Sequence, residues 1–178
     1  MMSMKKMVLF CLLLMTAAGM QAQSLDGKWK TLIKAEEDNQ KPTELFFTFD
    51  KGKSSMSIKV DMSYHDDQVG TLYFSAMVPG AFSRTGDNLN VLLFTQKAEL
   101  KLDKVDFTGQ LEEAFKEQPE LKQTVMKAMQ ETLENGKENF IGIFKNFKSL
   151  VIEKHTDTEL WLKTEGDSEV LVFIRCAE

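Results

Sequence analysis

From Ser55 to Tyr64 the chain alternates without a break. Met56, Ile58, Val60, Met62 and Tyr64 are apolar or aromatic, and Ser55, Ser57, Lys59, Asp61 and Ser63 are polar. A period of two belongs to an extended strand with one dry face and one wet face. A lone strand cannot bury its dry face, and the sequence supplies neighbours on both sides. Upstream, Trp29, Thr31, Ile33 and Ala35 alternate with lysines, although Leu32 falls on the polar side. Leu45, Phe47 and Phe49 form a second face, with Phe46 and Thr48 opposite.

Downstream, Leu72, Phe74, Ala76 and Val78 share a face, and Pro79-Gly80 is expected to end that strand. A short strand then starts at Phe82, and Gly86-Asp87-Asn88 is a hairpin signal leading into Leu89 and Val91. Ala98, Leu100 and Leu102 alternate with Glu99, Lys101 and Asp103, and three more short strands lie within 149–154, 159–163 and 169–175. Strands joined by hairpin-length loops, each with one dry face, must stack as a sandwich or close on themselves. Closure removes the exposed edges. The expected fold is therefore mainly β, an antiparallel up-and-down barrel of about 8–10 strands.

One segment breaks the pattern. Between residues 108 and 147 the period becomes helical: Leu111, Ala114 and Phe115 first, then Leu121, Val125, Ala128, Met129 and Leu133 in one stripe. Pro119 suits the first turn of the second helix, and Asn135-Gly136 suits its end. Phe140, Ile141, Ile143, Phe144 and Phe147 follow as an apolar, helical segment. The α-helical insertion thus precedes the last strands. Its stripe has to be buried by capping a barrel mouth, by lying along the wall, or by meeting a partner.

Residues 1–22 have the three parts of a cleavable signal peptide: Lys5 and Lys6, an apolar run from Met7 to Met15, and small residues up to Ala22. Cleavage is expected after Ala22, with Gly19 as the rival site. The apolar run is too short to span a bilayer, so the mature domain, residues 23–178, is expected in the periplasm or secreted, with no integral membrane segment. The net charge of −5 becomes −7 once Lys5 and Lys6 leave. An acidic domain without basic clusters is a poor partner for nucleic acid, whose binding rests on cationic side chains. Cys11 leaves with the leader and Cys176 remains alone, so no internal disulfide is expected and the core must hold the fold.

The triplet Gly27-Lys28-Trp29 stands at the head of the first strand and Arg175 in the last. With the leader and the meander, these residues resemble the lipocalins, and more closely the lipocalin-like proteins exported by Gram-negative bacteria. The resemblance covers about three-quarters of the chain and implies that Gly27, Trp29 and Arg175 close one end of the barrel, guanidinium over indole. The insert at 108–147 departs from it, because lipocalins place their main helix after the barrel strands.

The resemblance implies binding of a small apolar or lipid-like molecule in the barrel interior. The inward candidates are Phe47, Phe49, Met56, Ile58, Val60, Met62, Tyr64, Leu72, Phe74, Leu89, Val91, Leu100 and Leu102. The same side chains could instead fill the interior, leaving a structural or interaction module of the cell envelope that meets its partner through the helical insert. No cofactor, metal or catalytic residue is expected. His65 and His155 each sit beside acids in a loop, and no serine has the strand-to-helix elbow of a nucleophile.

Overall fold

The computed structural model describes residues 24–34, 42–142, 144, 147–166 and 168–177. The leader over 1–22, and Ala35 of the first strand, lie outside them. Among the described residues nine strands form one antiparallel sheet: β1 Gly27–Ile33, β2 Thr43–Asp50, β3 Ser55–Asp66, β4 Gly70–Thr85, β5 Asn88–Leu93, β6 Glu99–Phe107, β7 Ser149–His155, β8 Glu159–Thr164 and β9 Val170–Arg175. The order β3-β2-β1-β9-β8-β7-β5-β4 returns to β3, so eight strands close into a barrel. The ninth, β6, pairs among the described residues with β4 alone and stands outside the ring. Between β6 and β7 come α1 Gly109–Glu117, α2 Pro119–Asn135 and α3 Lys137–Ile141.

β4 explains how nine strands make an eight-stranded ring. It runs unbroken for 16 residues, through the Pro79-Gly80 pair that was expected to end it. Its first half, Gly70 to Met77, pairs with β6, and its last six residues, Gly80 to Thr85, pair with β5 on the same edge. Pro79 stands where one neighbour hands over to the other. Its carbonyl accepts from Phe94 N on that edge, so its missing N–H falls in the gap between β6 and β5 and costs no ladder bond. Gly80 is needed there because a Cβ would meet Leu92 O at 2.6 Å.

The barrel has two unlike ends. At one, β1 begins, β9 finishes, and the β2–β3, β4–β5 and β7–β8 turns gather. At the other, β3, β4 and β6 project beyond β2, whose pairing with β3 runs only from Asp50 to Glu44 and stops at Asp61. The helical insert begins and ends at this second end.

Inward side chains fill the barrel between the two ends. Phe47, Phe49, Met56, Ile58, Val60, Leu89 and Val91 are all buried in one cluster with side chains of β7, β8 and β9. Ile141 and Phe144, from the end of the helical insert, belong to the same cluster, and the Phe147 ring lies 5.6 Å from that of Phe47. Outside, Phe46 is buried as well: Lys28 Nζ covers its ring at 4.3 Å, with Lys30 and Lys59 flanking it. Long lysine stems shield an outward aromatic ring while their ammonium groups stay wet.

Candidate functional site

The closed end is built on Trp29. Its indole is fully buried, its Nε1 donates to Leu25 O at 2.8 Å, and the Arg175 guanidinium lies 4.3 Å from the ring centroid. Arg175 donates in turn through Nη1 to Asp26 O at 2.7 Å and through Nη2 to Ser24 O at 3.2 Å. Gly27, at φ +111°, completes the arrangement, because a Cβ there would stand 3.1 Å from Arg175 Nη1. A side chain would therefore be strained in backbone and would also push the guanidinium off its carbonyls. The residues joined by the sequence pattern are joined here in space, and Trp29 pairs with Arg175 across β1 and β9.

His155 stands beside this closure, its ring 5.5 Å from that of Trp29 in an edge contact. Burial lowers its pKa below the usual 6.5, and the cations Arg84 and Arg175 lower it further, against the opposing carboxylate of Asp157. The folded chain thus takes up a proton at His155 less readily than the unfolded chain. Stability contributed here is complete above about pH 6.5 and declines as the pH falls below it, because protons then favour the unfolded state. Thermal melts at about pH 7.5 and about pH 5.5 should show a larger loss for the native chain than for His155→Gln. Equal losses would mean that His155 does not carry this dependence.

Ligand-sized space occurs at both ends. At the closed end a pocket of about 320 Å³ is lined by Leu25 and Phe82 with the charged Lys51 and Arg84, and a larger, apolar one lies at the open end. A pocket of about 550 Å³ lies between the projecting sheet and the helical insert. Leu72, Phe74 and Leu100 form its floor, Val125, Met129 and Leu133 its roof, and Phe140 its inner end. Phe74 also borders a second pocket of about 430 Å³, shared with Met62 and with the carboxylates of Glu44, Asp61 and Asp103. Among the described residues no lysine, arginine, aspartate or glutamate lines the larger pocket; Thr132 is the polar side chain there, and that hydroxyl donates to Ala128 O. Such a surface can take hydrocarbon and offers no charge to a headgroup.

The thirteen inward candidates thus divide. Seven fill the barrel: Phe47, Phe49, Met56, Ile58, Val60, Leu89 and Val91. Leu72, Phe74 and Leu100 floor the larger pocket, and Met62 borders the smaller. Leu102 joins Val105, Phe107 and Phe115 in a satellite cluster under α1 and α2. Leu100 and Leu102 are not interior residues of the ring, since β6 lies outside it; alternation reveals a shared face but not which strands close. Tyr64 is 49% exposed, because its part of β3 has outrun β2 and projects past the rim. The pocket's roof was visible only as a helical stripe, and nothing in the stripe said what it covered.

The histidines do not converge. His65 is the penultimate residue of β3 at the open end, where Nδ1 contacts Thr71 Oγ1 at 3.1 Å, and His155 ends β7 at the closed end. Among the described residues no three His, Cys, Asp or Glu side chains gather as metal ligands, and no helix is long and apolar enough to cross a membrane. Cys176 is a half-buried thiol whose backbone N–H donates to Lys28 O at 2.8 Å, extending the seam between β9 and β1. No protein-family model matches the chain, and neither curated proteins nor solved structures give a significant match.

Proposed function

We propose that the chain is an exported, lipocalin-like binding protein for a small apolar or lipid-like molecule, without catalysis, and that the ligand sits at the open end under the helical insert. The observation that carries this is the uncharged pocket of about 550 Å³ opposite the Trp29 closure. Its volume falls within the range of about 300–1,000 Å³ used by small-molecule sites. The barrel interior proper is occupied by its own side chains, which moves the expected ligand from the middle of the barrel to its mouth. Family membership rests on the Gly27, Trp29 and Arg175 arrangement together with the up-and-down order of the ring. Export to the periplasm or beyond rests on the three-part leader in residues 1–22.

A second reading has its own support. Val170, Val172 and Ile174 of β9 are exposed on one outward face. A filled barrel with an apolar outer wall suits a module that meets an envelope partner. Native mass spectrometry of the protein purified from its own host separates the two. A retained small molecule is expected. Clean apo protein that also fails to bind a fluorescent fatty acid would reject the ligand reading in favour of the second.

A further inference from the structure

α2 is a long element held lightly. None of its 17 residues is fully buried. Its apolar anchors are Val125, Met126 and Met129, packed against the satellite cluster of Leu102, Val105, Phe107 and Phe115. Its side-chain hydrogen bonds to the sheet, among the described residues, come from Gln130. Oε1 accepts from Leu102 N at 2.7 Å, and Nε2 donates to Leu100 O at 3.0 Å.

Leu100 and Leu102 belong to β6, the strand that ends the sheet order. The outer edge of such a strand offers N–H and C=O groups with no strand to meet them. A carboxamide carries one acceptor and one donor group side by side, as a peptide unit does, and here it satisfies one backbone N–H and one carbonyl of that edge. Gln130 takes the place of one residue of a missing strand. Its Nε2 also donates to Glu134 Oε1 at 3.2 Å, which fixes the amide's orientation. Flipped, its oxygen would face both a carboxylate and a carbonyl.

Gln130 also stands within the stretch of α2 that roofs the apolar pocket, where Val125, Ala128, Met129, Thr132 and Leu133 line it as far as Gly136. Lifting this part of α2 widens the pocket and breaks both amide bonds to β6. Elements with little buried surface are those that open locally at low free energy, and ligand lids are drawn from them.

We propose that α2 is a lid over the apolar pocket and that Gln130 is its latch, a side chain standing in for a β-strand on the edge of β6. The lid's role in ligand exchange rests on the ligand reading above; the latch itself does not. Gln130→Met keeps the length and apolar stem of the side chain and removes the amide. Hydrogen exchange on the full chain should then show the Leu102 amide and the amides of α2 exchanging about tenfold faster, the effect of about one to two hydrogen bonds. Amides of β1 and β2, deep in the barrel, should keep their native rates. The dissociation rate of a dansyl-labelled fatty acid should rise by a similar factor of about ten. Unchanged exchange in α2, or exchange that rises equally in β1 and β2, would overturn the latch. An unchanged probe dissociation rate, with α2 opening faster, would overturn its role in ligand exchange. A native chain that binds no probe at all removes the ligand reading, while the exchange comparison still decides the latch.

Discussion

Replacing Trp29 by alanine is expected to cost about 3–5 kcal/mol of folding stability, the range for losing a fully buried large aromatic. Three losses coincide at this position. The indole leaves a cavity at the closed end, because its surroundings are the ends of strands already tied to one another. Leu25 O loses the Nε1–H that now satisfies it at 2.8 Å. Arg175 loses the ring under its guanidinium while still held to the carbonyls of Asp26 and Ser24, so a partly buried cation keeps its desolvation without its stacking partner. Urea unfolding of the native chain and Trp29→Ala measures the total. The pair Trp29→Ala and Arg175→Ala, taken singly and together, should give a coupling of about 0.5–2 kcal/mol. A Trp29→Ala chain as stable as the native one would show that the closed end does not depend on this residue.

The strands were legible because alternation is a local property, and so were the closing residues, because Gly27, Trp29 and Arg175 stand at recognisable places in the first and last strands. Strand neighbours are a different matter. Ala98 to Leu102 alternates as cleanly as Met56 to Tyr64, yet β6 is left out of the ring while β3 is part of it. The distinction is made by β4, whose one edge serves two partners in succession, and by the handover at Pro79-Gly80. A sequence shows that pair as a break because proline lacks a donor; only the neighbouring strands show that no donor was needed. Similarly, Asn135-Gly136 does end α2, but Gly136 adopts right-handed helical backbone at φ −83° and passes the chain directly into α3.

The candidate site was half legible. Leu72, Phe74 and Leu100 were picked out by their alternation as barrel-interior residues, and they line the pocket under α2 instead. The rest of the pocket comes from α2, and an apolar helical stripe reads the same whether it covers a mouth, a wall or a partner. Gln130 carried no signal at all. A glutamine on a helix is ordinarily a solvated residue, and its importance here arises from an unpaired strand edge that no local pattern announces.

Filling the apolar pocket at the open end tests most directly the proposal that it holds the ligand. Ala128 and Leu133 line the roof, away from the Trp29 closure and from the main cluster inside the barrel. Neither is among the fully buried residues, so larger side chains there need not overpack a core. Ala128→Trp combined with Leu133→Trp places two indoles against Leu72 and Phe74. The space that would hold hydrocarbon is then taken by the protein, and no polar group is left unpaired by the change. Titration of a dansyl-labelled fatty acid, with thermal unfolding as a check on folding, compares the two chains. Binding by the native chain and at least about tenfold weaker binding by a variant of similar melting temperature is the predicted result. Equal affinity in the two chains, or no binding by the native one, would contradict it.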